Sequence, residues 1–302
     1  MGVTGFFQRL FGSRKANRKA SSIDVKTAPL SEEQLAAVSR PDAPIQPAQY
    51  LVGCAQSVGI QRDHNEDSLF VLNTILSGDK EIPAGIFIIA DGMGGHEHGE
   101  VASSVATRVM ADHLLSNLHS LFTGGSMDSQ STSLQEILGS GVAAVQRAVT
   151  SKAPGGGTTL TAALALGTQV VLAHVGDSRA YLIKASGEMH AITQDHSLVQ
   201  RLIELGELNE EEARVYPHRN VLYRAVGQVD PLHPDIHSHE FPQPGYLLIC
   251  SDGLWGVVSD ADIFRIIQRS ETVQEACRQL VDAANNEGGP DNISVILVKL
   301  PR

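Results

Sequence analysis

Cysteine is scarce in this chain. Three occur among 302 residues, Cys54, Cys250 and Cys277, an odd number with no CxxC pair. That excludes a disulfide framework and fits a reducing, cytoplasmic compartment. Cys54 and Cys250 stand in apolar runs and read as small core residues. Long hydrophobic runs are missing too. None approaches the ~18 residues that cross a bilayer, and the first residues lack the continuous apolar segment of a secretory signal. Basic residues are in deficit, 23 Lys and Arg against 34 Asp and Glu, for a formal net charge of −11. A general nucleic-acid binder needs a basic face, so that class is excluded. The histidines offer little support for zinc, since His96-Glu97-His98 lacks the i, i+4 spacing of a helical zinc site.

What remains is ordinary globular composition, 42% hydrophobic and 19% charged. The charge is uneven. Residues 1–26 carry six basic residues and one acid, and the rest carries 17 basic against 33 acidic residues. Within that tail Phe7, Leu10 and Phe11 follow helical spacing, so a short amphipathic helix making weak contact with an anionic membrane surface or a partner is one reading. A solvated basic tail is the other. Residues 27–49 hold Pro29, Pro41, Pro44 and Pro47 and read as a linker, with one helical turn around Ser31–Val38. Residues 1–49 are thus expected to be a tail and linker, and residues 50–302 one large domain.

Within that domain short apolar runs alternate with helical patterns. Strands are expected near 50–56, 68–72, 86–90, 159–166, 169–175, 179–183, 246–250 and 293–299. Helices are expected near 99–122, 133–151, 195–206, 209–215, 260–269 and 271–286. Ser259 caps the helix at 260, and another starts near Thr272. Strands in hairpin-like succession with helices in separate pairs imply an α+β fold, antiparallel sheets with helices packed outside.

The stretch Gly85-Ile-Phe-Ile-Ile-Ala-Asp91-Gly92-Met93-Gly-Gly95 concentrates the chemistry. An unbroken apolar run ending in turn residues reads as a strand buried on both faces, with Asp91 where it leaves the core. Alone, Asp-Gly is a turn. But Gly245–Gly256 repeats the same grammar with Asp252, and Gly167–Val175 ends in Asp177. Asp67 and Asp291 stand where two further strands begin. Antiparallel pairing sets the end of one strand beside the start of the next, so Asp67 meets Asp91 and Asp252 meets Asp291 at one rim. Carboxylates so gathered repel unless a cation lies between them. Carboxylate, carbonyl and water ligands select Mg²⁺ or Mn²⁺. Arg62, five residues before Asp67, suits a phosphate, and its plainer reading is a salt bridge with Asp63 or Glu66.

The fragments GIQRDHNEDS (59–68), ADGMGGH (90–96), GTTL (157–160), VGDSR (175–179), QDHSLVQRLIELGELNEEEAR (194–214), RNVLYRAVG (219–227), CSDGLW (250–255) and GPDNISVILV (289–298) occur in this order. Together they resemble the metal-dependent serine/threonine phosphatases of the protein phosphatase 2C type, in their bacterial branch. The resemblance spans about Tyr50 to Leu300. It implies two antiparallel sheets packed face to face, flanked on each outer side by helices, in an α-β-β-α sandwich. It also implies a flap at 195–227 beside a metal site. By that resemblance Asp91 bridges two Mn²⁺ or Mg²⁺ ions, Asp67, Asp252, Asp291 and the Gly92 carbonyl complete the shells, and Glu66 acts through water. Asp177 and Asp252 would hold a third ion, and Arg62 substrate phosphate. The implied reaction is hydrolysis of phosphoserine and phosphothreonine by in-line attack of a metal-bridging hydroxide, on phosphoproteins made by an opposing serine/threonine kinase. Met93 stands where some eukaryotic members carry a histidine proposed as general acid. A metal-bound water or another group must then protonate the leaving seryl oxygen, and His64 and His96 are conceivable. A non-catalytic phosphoprotein-binding module and a hydrolase of small phosphate esters are the competing readings.

Overall fold

In the computed structural model, residues 49–76, 81–94, 97–122, 133–228 and 231–300 are described. They belong to one compact unit, Ala48–Arg302. The expected tail and linker, the loop 123–132 and His96 lie outside the described residues.

Eleven strands and seven helices follow one another among the described residues. They are β1 (Leu51–Ser57), β2 (Asp67–Leu76), β3 (Ile82–Met93), α1 (Glu97–Phe122), α2 (Leu134–Lys152), β4 (Gly157–Thr158), β5 (Leu160–Leu166), β6 (Gln169–Val175), β7 (Arg179–Lys184) and β8 (Met189–Ala191). Then come α3 (Leu198–Glu204), α4 (Glu210–Arg214), β9 (Asp235–Glu240), β10 (Gly245–Cys250), α5 (Asp252–Trp255), α6 (Asp260–Arg269), α7 (Val273–Asn286) and β11 (Ile293–Leu300). The strands make two antiparallel sheets, ordered β1-β11-β10-β7-β8 and β2-β3-β5-β6-β9, with β4 paired to β3.

Period-two side-chain alternation explains why the sheets stack. Along β10 and β11, Leu247, Ile249, Ile296, Val298 and Leu300 pack between the sheets with Phe87, Ile89, Val170 and Leu172. The alternate residues Leu248, Cys250, Ile293, Val295 and Leu297 pack outward against Ile263, Ile267, Cys277 and Leu280 of α6 and α7. On the far side α1 and α2 cover the other sheet, so β3 and β5 are buried on both faces. That is the α-β-β-α sandwich expected from the sequence. Each fully buried aliphatic side chain contributes about 1.5–3 kcal/mol.

Three short strands escaped the sequence reading. In β9, Asp-Ile-His-Ser-His-Glu is mostly polar because it is an edge strand bonded on one side only, to β6. β4 and β8 are two and three residues long, too short for a pattern. Cys250 is fully buried as expected, whereas Cys54 is only partly so.

Candidate metal centre

Strand ends build the site. Asp67 opens β2 directly opposite Asp91 near the end of β3. Asp252 follows β10, Asp291 precedes β11, and β10 and β11 are neighbours. Asp177 lies in the turn between β6 and β7. The charge of Asp91 is felt against those of Asp67, Asp252, Asp177 and Asp291, so five acids from separate chain segments share one rim. Glu66 lies beside Asp67, its Oε1 3.0 Å from His64 Nε2.

Asp67 and Asp177 are buried, and Asp91, Asp252 and Asp291 are half-buried at the rim. Burial pushes Asp67 up to about 6 and Asp177 up to about 7. Asp91 and Asp252 are raised well above the carboxylate range, first by burial and then by the neighbouring carboxylates. Asp67 Oδ1 and Asp252 Oδ1 are buried without a hydrogen-bond partner. A buried polar atom left so costs about 1–3 kcal/mol, which a cation coordinating it offsets. Every donor is oxygen, the preference of a hard divalent ion. The residues therefore fit Mn²⁺ or Mg²⁺. Among the described residues no three His, Cys, Asp or Glu side chains are grouped so as to hold a metal ion as they stand.

Backbone contacts fix this rim. The Asp91 amide donates to Thr159 Oγ1 at 2.9 Å, while its carbonyl accepts from Thr158 Oγ1 and the Thr159 amide, both at 2.8 Å. Gly92 donates its amide to the Glu66 carbonyl. A Cβ at Gly92 would come within 2.3 Å of the Gly99 carbonyl oxygen and 2.7 Å of that of Glu66, so no larger residue fits without moving backbone. Asn292 stitches the 58–66 loop, donating to the Val58 and His64 carbonyls and accepting from the Glu66 amide.

Arg62 stands at the wet edge of the site, with its side chain 48% exposed, and pairs with Asp291 at 2.7 Å. The plainer reading of Arg62 named Asp63 or Glu66 as its partner. The loop instead turns the guanidinium toward β11, because Ile60 and Gln61 donate their amides to the Gly289 carbonyl.

The 195–227 segment leaves and rejoins the sandwich beside the rim. Thr158 of β4, paired with Gly92, also bridges to Val226, and Ser197 bridges to Leu222. At its root His196 clamps Gly176, the residue before Asp177. The His196 amide donates to the Gly176 carbonyl at 2.8 Å, and the Gly176 amide donates to His196 Nδ1 at 3.0 Å. The ring proton is therefore on Nε2, which donates to Asp235 Oδ2 at 3.1 Å. Gly176 has φ +109°, and a Cβ there would lie 2.6 Å from Thr159 Cβ. Asp195 takes a bidentate contact from Arg179, whose guanidinium lies 3.6 Å over the Trp255 ring. Trp255 in turn donates to the Asp177 carbonyl at 3.0 Å.

The sequence reading passed over His196, Trp255, Thr159 and Ser251. Each stands inside a fragment that carried the resemblance, and all but Thr159 lie within a few residues of an acid. A buried-polar requirement next to a charged site was the available signal.

Residues 54–293 match the protein phosphatase 2C family, so the chain belongs to that family. It is similar to the serine/threonine phosphatase stp of Listeria innocua, 38% identical over 240 residues, 79% of this chain and 91% of that protein. Among solved structures it is similar to the serine/threonine phosphatase PstP/Ppp of Mycobacterium tuberculosis, at 31% identity and TM-score 0.69, over 84% of this chain and all of that one. The catalytic domain of PstP in complex with two manganese ions aligns at 32% identity and TM-score 0.67, over 83% of this chain and 98% of that one.

Proposed function

We propose that this serine/threonine phosphatase hydrolyses phosphoserine and phosphothreonine esters of proteins at the acid rim. In this reading Asp91, Asp67, Asp252, Asp291 and the Gly92 carbonyl would hold two Mn²⁺ or Mg²⁺ ions, with Glu66 acting through water. Asp177 and Asp252 would share a third ion. The convergence of five carboxylates, two with buried unpartnered oxygens, carries the reading. When bound, the ions supply an acidified attacking water and neutralise charge building on the phosphoryl oxygens. Arg62 then exchanges Asp291 for a phosphate, to which its planar fork donates in pairs. The buried walls exclude bulk water from the reacting centre, which strengthens each of these contacts. Met93 has no proton to give. His64, bonded to Glu66 at the rim, is the described histidine suited to protonate the leaving seryl oxygen.

Phosphoproteins are the substrates of this class, and a serine/threonine kinase is the enzyme it would oppose. No helix among the described residues is long and apolar enough to cross a membrane. Weak contact of residues 1–26 with an anionic surface or partner rests on their aromatic and basic pattern alone.

Phosphate release from phosphoserine and phosphothreonine peptides, with Mn²⁺ and with chelator, tests this. Turnover should require the metal and exceed that on nucleotide or sugar phosphates. Arg62→Ala should raise the peptide KM about 10-fold, the worth of a charge-assisted phosphate contact. Preference for the small esters would transfer the site to another phosphohydrolase class, and peptide binding without turnover would make it a binding module.

A further inference from the structure

Ser251 occupies the N-cap of α5 with the extended backbone of a cap, φ −77° and ψ 170°, yet its side chain makes no capping bond. Ser133, Ser197, Ser259 and Thr272 all cap their helices through the third helical amide. Ser251 is fully buried, so a hydroxyl withheld from capping must be satisfied elsewhere. Its Oγ lies 2.9 Å from the Ser294 amide, which can only donate, so Oγ accepts there. Its own proton then goes to Asp67 Oδ2 at 2.8 Å, the Asn292 carbonyl at 3.4 Å being a poorer acceptor. Asp67 belongs to the six-stranded sheet, whereas Ser294 lies in β11 of the five-stranded one and Ser251 directly follows its β10. One hydroxyl thus ties a carboxylate of one sheet to the strand ends that carry Asp252 and Asp291 in the other.

We propose that Ser251 is a positioning residue of the metal centre, holding Asp67 by Oδ2 so that Oδ1, buried and unpartnered, is presented to a divalent ion. It is not itself a ligand. The proposal rests on reading Asp67 as a metal ligand. Carboxylate ligands depend on such outer hydrogen bonds, whose removal costs about 10–100-fold in metal affinity. Without the hydroxyl, Asp67 can rotate, and the two sheets lose a side-chain tie at the rim.

The test is calorimetric titration of the full chain, stripped with chelator and then dialysed, with Mn²⁺ and no substrate. Ser251→Ala should weaken Mn²⁺ binding about 10–100-fold. In an Asp67→Asn background the same change should add little, because the route through the carboxylate is already cut. Ser251→Cys keeps the volume with a weak donor and should fall between wild type and alanine, which carries the test if the alanine variant folds poorly. Unchanged affinity in Ser251→Ala or Ser251→Cys, or an equal loss with and without the Asp67 carboxylate, would overturn the proposal. Failure of the wild-type chain to bind Mn²⁺ at all would overturn the metal-centre reading itself, and is distinguishable because no variant is involved.

Discussion

Two buried polar regions adjoin in this molecule, and they are built on opposite terms. Under the 195–227 segment, His174, His196, Asp195, Arg179 and Asp235 each have hydrogen-bond partners. His174 bonds Thr161 through Nδ1 and the Gln194 carbonyl through Nε2, His196 uses both nitrogens, and Arg224 completes Asp235. At the acid rim, Asp67 Oδ1 and Asp252 Oδ1 have no partner, and like charges face one another. A network closed on itself specifies a shape. A cluster of buried carboxylates left open is stable only with a counter-charge, and so is the part built for a ligand.

The contrast is broken most decisively at its open side. Asp91→Asn removes the charge common to all the rim interactions, and Mn²⁺-dependent phosphopeptide turnover should fall by about 10³-fold or more. In chelator the variant should melt no lower than wild type, because repulsion from Asp67 and Asp252 is relieved. Residual full turnover, or a destabilised apo protein, would make Asp91 a scaffold residue. His196→Ala should behave in reverse. It strands the Gly176 amide, leaves Asp235 to Arg224 alone and leaves a cavity, for a loss of about 3 kcal/mol in urea denaturation with chelator present. If it instead melts with wild type, the network is not the scaffold described.

That division also explains what the sequence could reveal. The rim was legible because metal chemistry fixes residue types at strand ends: Asp91-Gly92 and Asp252-Gly253 share one grammar, and strand pairing predicts the Asp67–Asp91 neighbours that the register contains. The sandwich was legible from apolar periodicity in β3, β5, β10 and β11. The network was not. Its members come from β6, β7, β9 and the 195–227 segment, and nothing local marks His174 as buried opposite Thr161. Edge strand β9 supplies Asp235 through a mostly polar hexapeptide. Tertiary contacts alone determine such residues, and a single sequence does not expose them.

The smallest effect separates the regions by pH. Burial raises Asp67 from 3.8 to about 6 and Asp177 to about 7, so near pH 5 the folded protein holds protons that the unfolded chain has released. Their stabilisation is complete below the unfolded carboxylate pKa and is lost as pH rises through about 6 and then about 7. His174 runs the other way. Burial lowers it from 6.5 to about 3, so the folded state resists a proton that the unfolded chain accepts, and stability is lost as pH falls below the unfolded value. Wild type in chelator sums the two trends. Asp67→Asn keeps the histidine trend and removes one carboxylate from the rim trend. In chelator that variant should therefore be more stable than wild type by about 2–3 kcal/mol at pH 8, a gap that narrows as pH falls and is gone only below the unfolded value of 3.8. With saturating Mn²⁺ the order at pH 8 should reverse, since the ion favours the charged carboxylate that the variant lacks. A gap independent of pH, or one untouched by Mn²⁺, would show that Asp67 is stabilised by the fold in the way His174 is, and the distinction between the regions would fail at that residue.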